Sequence, residues 1–379
     1  MRAQVSADVR DRFVAGATAA LEVRSGLRAR DSGNEFSGMT LSQLARLSLE
    51  LSGVPAAGLS PSALASRVFA SQHSTDFPQL LSNIAGKVLR DSYGNFPNTY
   101  QQIAHVGQVS DFKVHPRIQL GSFNNLEEVP EGGEYKYGSL TEQYENAQAK
   151  TRGKAIQLSR QMIVNDDLGG FARRAQLMGR AAARSVNTDL FAFVTSGANN
   201  HGPTSTDTGQ FFNATAAATA GGHANLTSSG TAISATSIAL GRSMMRKQKD
   251  ASTREVLNIL PRTLVAPVAL EDHAWTVINS ATDVGQANPA KRNRYSDASA
   301  RLDLVPDPYL DDISATAWYL LADPNDAAAA FEVVFLDGVQ EPHVDEVIDF
   351  DTDSMKFKVR LDYGVAIGDW RGGYKNVGA

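Results

Sequence analysis

Cysteine is absent from this chain of 379 residues. Its absence excludes disulfides, thiolate zinc sites, iron–sulfur clusters and a cysteine nucleophile. Long apolar runs are also missing, since none approaches the roughly 20 residues that cross a bilayer. Residues 1–8 do not form the apolar core of a secretory signal. These absences predict a soluble protein made in a bacterial-type cytoplasm.

Positive charge is not in excess either. The formal net charge is −5, so the chain as a whole is not an electrostatic nucleic-acid binder. Hydrophobic residues make up 42% of the chain and charged residues 20%, which is ordinary globular composition. The chain is therefore long and apolar enough to bury a sizeable core, in more than one lobe.

Motifs for nucleotide binding and hydrolysis are lacking. Residues 285–291 have neither the second glycine of a Walker loop nor its following Ser or Thr, and no Gly-x-Ser-x-Gly elbow occurs. Residues 110–113 fit the pattern Ser-x-x-Lys, but they begin an extended segment and the companion motifs are missing. Chance explains that match best.

Metal-binding patterns are weak. Residues 349–353 begin like a calcium loop, but Ser354 stands where glycine is needed and Arg360 where glutamate is needed, which favours a solvated acidic turn. The seven histidines form no pair with ligand spacing. The best candidate, His343 near Asp345 and Glu346, has a composition that is common on protein surfaces. We therefore predict no metal and no cofactor.

The feature around which the chain is organised is the stretch 111–197. An extended run at 111–120 leads into a segment rich in glycine and glutamate, and a strand is predicted to return at 154–164. Alternation in that strand places four apolar residues on one face: Ile156, Leu158, Met162 and Val164. A long helix then follows, capped by Asp166 or Asp167.

The middle of this hairpin is charged and contains few apolar residues, so it cannot bury much of itself. Its acids are Glu127, Glu128, Glu131, Glu134, Glu142 and Glu145, and they are opposed by Lys136, Lys150, Arg152 and Lys154. A loop of about 30 residues without its own core is typically functional or disordered. Catalytic carboxylates need a rigid, desolvated site, so ion pairs at a rim or simple solubility explain these acids better.

The long helix is predicted to run from about 167 to 196. Its apolar stripe, spaced by three and four residues, consists of Phe171, Ala175, Met178, Ala182, Val186, Leu190 and Phe193. Its other faces carry Arg173, Arg174, Arg180 and Arg184. These arginines could contact phosphates, but a solvated face or ion pairs with a neighbour's glutamates is favoured, because acidic residues dominate the chain.

Short helices are predicted before this stretch and a mixed lobe after it. The expected helices of the N-terminal part lie at 7–23, at 41–51 after a capping box, from Ser60-Pro61 onward, and at 77–93. After the long helix we predict a surface loop at 199–229, helices at 234–249 and 268–278, and strands at 257–261, 263–267, 302–306, 317–322, 331–336 and 355–367. The class is therefore α+β.

This order of elements resembles the major capsid protein of tailed bacteriophages, the Hong Kong 97-type shell subunit, in the subgroup often encoded as a fusion with a prohead protease. Segments 77–100, 111–135 and 159–168 carry the resemblance, together with 263–267, 360–366 and Asp369-Trp370-Arg371. The domains that the resemblance implies are a helical N-arm or scaffold-like remnant at 1–75, a peripheral-domain start at 76–110, an E-loop hairpin at 111–153, a peripheral domain at 154–230 with a spine helix at 167–196 and a loop insertion at 198–230, an axial domain at 231–340, and a closing peripheral strand at 341–379.

The function that the resemblance implies is structural rather than enzymatic. It is self-assembly into hexamers and pentamers of an icosahedral shell around the double-stranded DNA of a tailed phage, prophage or gene-transfer agent. The implied intersubunit contacts of the E-loop are Glu127, Glu128, Glu131, Glu134, Tyr135, Lys136 and Tyr137, and those of the spine helix are Phe171, Arg173, Arg174, Arg180 and Arg184.

The resemblance also implies partners and a location. The partners are further copies of the chain, with portal, scaffold and prohead protease during assembly, DNA by proximity only, and no membrane. The location is the virion, after assembly in the host cytoplasm. Two alternatives stay open: an encapsulin-type nanocompartment shell, and a hydrolase that uses Glu131 and Glu134 or the acids at 349–353.

Overall fold

The computed structural model describes residues 2–30, 33–70, 77–119, 143–250, 255–283, 292–297, 300–349 and 354–379. The helices are α1 Arg2–Ser25, α2 Leu41–Leu51, α3 Pro61–Ala70, α4 Phe77–Gly94, α5 Tyr100–Ile103, α6 Arg160–Val164, α7 Leu168–Val194, α8 Ala235–Arg246, α9 Glu271–Asn279 and α10 Pro308–Asp311. The strands are β1 Ala104–Val109, β2 His115–Ile118, β3 Tyr144–Ala147, β4 Lys150–Ser159, β5 Leu226–Thr227, β6 Pro261–Pro267, β7 Asp303–Asp307, β8 Trp318–Ala322, β9 Phe331–Leu336, β10 His343–Asp349, β11 Ser354–Ile367 and β12 Gly373–Asn376. The predicted α+β class is confirmed.

Two compact units share the chain. The first consists of Met1–Pro97, Thr151–Ser185 and Gln340–Leu361, and the second of Asn98–Lys150, Val186–Val339 and Asp362–Ala379. Both α7 and β11 contribute residues to each unit. This division does not test the assignment of arm, peripheral and axial domains, which stays a prediction.

A helical core fills the first unit. The predicted capping box opens α2: the Thr40 hydroxyl accepts from the Gln43 amide at 3.3 Å, and the Gln43 side chain accepts from the Thr40 amide at 2.9 Å. Leu44 of α2 and Leu64 of α3 are fully buried, in one cluster with α1, α4 and the first turns of α7. These helices are short, so packing against each other supplies most of their stability.

The returning strand of the hairpin is shorter than predicted. β4 ends at Ser159, and residues 160–164 form α6, so the expectation of a strand to Val164 is wrong. The Asn165 amide donates to the Gln161 carbonyl at 2.9 Å, which closes a helical turn. That turn buries two adjacent residues, Met162 and Ile163, in the helical core. A strand would have placed one of the two on its opposite face.

The long helix and the closing strand are confirmed as elements. Asp167 Oδ1 accepts from the Gly170 amide at 2.9 Å and so caps α7 as expected. The predicted stripe is partly wrong, because Met178, Ala182 and Phe193 are only half-buried. The buried positions of α7 that are missing from that stripe are Leu168, Ala172, Gly179, Ala183, Asn187, Phe191 and Val194. Small residues such as Gly179 and Ala183 occur among the buried positions of α7 because they let neighbouring backbone approach closely.

The second unit holds a five-stranded sheet in the order β5-β12-β8-β6-β7. β8 is antiparallel to β6 and β12, while β7 is parallel to β6. Helices α8 and α9 pack on this sheet through Ile238, Ala274 and Ile278. The strand predicted at 257–261 is wrong, since β6 begins at Pro261 and merges with the strand expected from Thr263. β1 is parallel to β9, which also pairs with residues 363–367 of β11.

The prediction of a surface loop at 199–229 is wrong. Phe211, Phe212, His223 and Asn225 in it are fully buried. The Asn225 side chain donates to the carbonyls of Phe211 at 2.8 Å and Trp370 at 3.1 Å, so the buried backbone is satisfied without regular structure. A polar, low-complexity sequence thus organises an aromatic cluster through side-chain hydrogen bonds to the backbone.

Candidate functional site

The hairpin is described at its base. The predicted contact residues Glu127, Glu128, Glu131, Glu134, Tyr135, Lys136 and Tyr137 lie outside the described residues. β2 and β3 pair antiparallel, from His115 with Ala147 to Ile118 with Tyr144. One residue further along, the Gln119 amide donates to the Gln143 carbonyl at 2.8 Å. The two legs of the hairpin are therefore held together at Gln119 and Gln143, the described residues on either side of the acidic segment 127–134.

Arg371 binds both legs at this point. Its side chain is 1% exposed, as is that of Asp369, with which it forms an ion pair at 3.1 Å. One Nη donates to Gln143 Oε1 at 2.7 Å, the other lies 3.3 Å from Gln119 Oε1, and Nε donates to the Lys249 carbonyl at 2.8 Å. A planar guanidinium can hold such diverging acceptors at once. Sequence reasoning missed this role, because the bound glutamines lie 228 and 252 residues away along the chain.

Glu145 on β3 is buried as well. Its carboxylate accepts from the Thr206 amide at 3.0 and 3.2 Å, and the Thr206 hydroxyl donates to the Tyr144 carbonyl at 2.6 Å. Burial raises the pKa of Glu145, and the hydrogen bonds from Thr206 oppose that rise. The expectation that groups Glu145 with the solvated glutamates of the hairpin is therefore wrong.

A further ion pair ties β2 to β9. Arg117 Nε lies 3.0 Å from Glu332 Oε2, whose side chain is 9% exposed. Arg117 also donates to the Gln108 carbonyl at 2.8 Å. Burial raises the pKa of Glu332, while the charge of Arg117 counteracts this. With Arg371 and Glu145, this pair fixes the hairpin base to the second unit.

The same base exposes apolar side chains. Ile118 is 68% exposed and Tyr144, its direct partner across the ladder, is 55% exposed. Phe112 and Val114 on the incoming leg are also exposed. Exposed apolar side chains that are held in place by a fixed backbone suit a surface that another protein covers.

The arginines of α7 lie in the first unit. Arg173, Arg174, Arg180 and Arg184 are exposed, as predicted. Three of them share one helix face with Leu177, which is 57% exposed, because positions 173, 177, 180 and 184 follow helical spacing. No Asp or Glu occurs between residues 168 and 188. This face, the arginine stripe, is a positive strip with an apolar residue near its centre. Phe171, by contrast, is buried in the helical core.

The residues considered as metal ligands do not come together in a metal site. Within the described part of the chain, no group of three or more histidine or acidic residues could hold a metal ion. His343 Nε2 lies 2.8 Å from Asp345, whose other carboxylate oxygen lies 3.0 Å from Lys358 Nζ. Glu346 is on the opposite face of β10, because neighbouring residues in a strand alternate. Residues 350–353 of the acidic turn lie outside the described residues. No described helix is both long and apolar enough to cross a membrane.

Several solved structures are similar to this chain. The procapsid of bacteriophage JBD30 shares 15% identity, with a TM-score of 0.41, over 79% of this chain and 74% of its own. The capsid of the cyanophage P-SCSP1u shares 11% identity, with a TM-score of 0.48, over 75% and 89%. The SrpI encapsulin of Synechococcus elongatus PCC 7942 shares 11% identity, with a TM-score of 0.42, over 73% and 85%.

The sequence comparisons identify the family. No curated protein matches the chain. A family described as "Phage capsid protein" matches residues 143–376, which is more than half of the chain. The match begins at the second leg of the hairpin and includes α7, the second-unit sheet and β11. The family is that of phage shells rather than of encapsulins or hydrolases, and it agrees with the expectation of a structural protein. The chain belongs to the phage capsid protein family.

Proposed function

We propose that this chain is the main shell subunit of a tailed phage, prophage or gene-transfer agent. It assembles as hexamers and pentamers into an icosahedral shell around double-stranded DNA. The observation that carries the proposal, beside the family match, is the hairpin base: a rigidly bound pair of legs that exposes Ile118 and Tyr144. Such a base supports a segment that completes its packing on a neighbouring copy.

Charge complementarity supports specific contacts in this assembly. The segment 127–134 contains four glutamates and no lysine or arginine, whereas residues 168–188, which include the arginine stripe of α7, contain no Asp or Glu. In the proposed contact, Glu127, Glu128, Glu131 and Glu134 of one copy meet the stripe of the next. Leu126, directly before this segment, and Val129 and Pro130 within it supply apolar atoms to cover Leu177. Tyr135, Lys136 and Tyr137 extend the same contact.

The remaining parts of the proposal concern partners and place. The subunit is a component of the virion, assembled in the host cytoplasm with portal, scaffold and prohead protease as transient partners. It has no catalytic role and carries no cofactor. In this scheme residues 1–75 act as the N-arm, 154–230 and 341–379 as the peripheral domain, and 231–340 as the axial domain.

Electron microscopy of the purified full chain tests the main proposal. We expect closed shells, hexamers or sheets at high protein concentration. A chain that sediments as a monomer at every concentration, salt and pH tried, without particles, contradicts the proposal.

A mixing experiment tests the charged contact. One variant carries Arg173→Glu with Arg180→Glu, and the other carries Glu131→Arg with Glu134→Arg. Each alone places like charges at positions 131 and 134 against those at positions 173 and 180, so each should fail to assemble. An equimolar mixture should form hexamers, because in a ring that alternates the two variants the substituted positions carry opposite charges in every contact. Assembly of either variant alone at the wild-type level would rule out this contact while leaving the shell function intact.

A further inference from the structure

Three arginines gather at the end of α8 in the second unit. Arg242 and Arg246 are four residues apart and therefore share a helix face. Arg294 stands in a short 3₁₀ helix, beside Tyr295, which is buried in the same core as the apolar face of α8. The charges of Arg294 and Arg246 both act on Arg242: after burial, they lower the pKa of its guanidinium.

No carboxylate compensates this cluster. Among the described residues, no acid contributes to the electrostatics of Arg242. Residues 251–254, 284–291 and 298–299, which lie outside the described part of the chain, contain no Asp or Glu. Arg246 donates through Nε to Asn258 at 2.7 Å. The Nε of Arg242, however, is buried without a hydrogen-bond partner in the described structure.

The local structure explains only part of this arrangement. Arg246, in the last turn of α8, is favourable there because the C-terminal end of a helix carries partial negative charge. That effect falls off within one turn, so it does not account for Arg242, and it does not apply to Arg294. Two guanidinium groups without acidic partners, one of them half-buried, repel each other and cost free energy. An external anion would remove that cost.

We propose that Arg242, Arg246 and Arg294 form a binding site for a phosphate group. Guanidinium groups present several N–H donors each and match the oxygens of a phosphate better than lysines do. The phosphate comes from the backbone of a nucleic acid or from free phosphate in solution. The site does not depend on the proposed shell function, since it lies within one chain.

Thermal melting of the full chain in phosphate-free buffer tests the site. The variant is Arg242→Gln with Arg294→Gln. Its control is Arg262→Gln with Arg292→Gln, which removes the same charge from two exposed arginines that do have acidic partners, Asp303 and Asp297. Without phosphate, the variant should melt above the wild type, because the repulsion is gone. Added inorganic phosphate should raise the melting temperature of the wild type and the control by roughly 2 °C or more, and leave the variant unchanged.

Binding of a labelled DNA duplex, followed by fluorescence anisotropy at low salt, identifies the source of the phosphate. A roughly tenfold or greater loss of DNA affinity in the variant relative to the control indicates nucleic acid as the ligand. Equal DNA affinities, together with the phosphate-dependent melting shift, indicate free phosphate. If the variant and the control respond alike to both phosphate and DNA, the site does not exist as proposed.

Discussion

Arg371 and Gln143 are joined by a hydrogen bond of 2.7 Å although 228 residues separate them in the sequence. The same guanidinium reaches Gln119 on the other leg of the hairpin and pairs with the buried Asp369. The C-terminal segment thus fixes the base from which the acidic segment departs. A change at Arg371 should consequently disturb both the stability of the second unit and the position of the hairpin.

Replacing Arg371 by Met should destabilise the chain by about 3–5 kcal/mol, because the buried Asp369 would lose the guanidinium of its ion pair. Urea unfolding measures the loss. Arg262→Met is the control, since Arg262 and Asp303 are both more than half exposed and such pairs contribute less than about 1 kcal/mol. Adding Asp369→Asn to the Arg371 variant should recover part of the loss. Equal losses for Arg371→Met and Arg262→Met would contradict the buried pair's role.

Asn187 of α7 should tolerate no apolar replacement. It accepts from the Tyr100 amide at 2.9 Å and donates to the Thr99 hydroxyl and to Asp307. Asn187→Leu removes these interactions and leaves the Tyr100 amide without its acceptor, so the free energy of unfolding should fall by about 1–3 kcal/mol. Calorimetry or urea unfolding tests this. Asn83, which is exposed on α4, is the control, and there the same change to Leu should have little effect. Equal losses at the two positions would contradict the role of Asn187.

Two glycines in helices of the first unit should respond oppositely to alanine. A Cβ at Gly179 of α7 would lie 2.4 Å from the Leu89 carbonyl oxygen, so Gly179→Ala should cost about 1–3 kcal/mol by overpacking. Gly86 of α4 has no atom within 4 Å of such a Cβ, and Gly86→Ala should stabilise by about 0.5–1 kcal/mol through helix propensity. Melting curves of the two variants should therefore shift in opposite directions, and shifts of the same sign would contradict the close packing at Gly179.

Glu145 should make stability depend on pH. Burial raises its pKa above the ordinary value of 4.5, so its favourable contribution is fully present below pH 4.5 and is lost as the pH rises through the folded-state pKa. Glu145→Gln removes that loss. The free energy of unfolding of the variant should therefore increase relative to that of the wild type as the pH rises from 4.5 to neutral. Glu35→Gln, which removes an exposed carboxylate, controls for the loss of one charge. A difference between Glu145→Gln and wild type that does not change with pH would contradict the buried state of Glu145.

Local sequence pattern was sufficient to predict several helices and strands. The capping box before α2, the apolar spacing of α4, the acidic cap of α7 and the alternation of β11 each depend on neighbours within a few residues. Those interactions are the same in an isolated segment and in the folded chain, so the elements were predicted close to their observed bounds. The family resemblance followed from their order.

Long-range packing decided the features that were mispredicted. Residues 160–164 follow an alternating strand and were predicted to continue it, yet they form α6 because a helical turn buries Met162 and Ile163 together. The polar segment 199–229 contains two phenylalanines that become fully buried only when Phe331 and Tyr319 are brought beside them. Local composition carries no information about those partners.

The sequence by itself determined the α+β class, the exposed arginines of α7 and the membership of a shell-forming family, because these depend on composition, periodicity and the order of elements. Only the tertiary structure decided which polar residues matter: Arg371 at the hairpin base, the buried Glu145, and the uncompensated Arg242. Each of these depends on which groups lie within a few ångströms after folding. A charged side chain has the same local sequence signal whether folding buries it against a distant partner or leaves it in water.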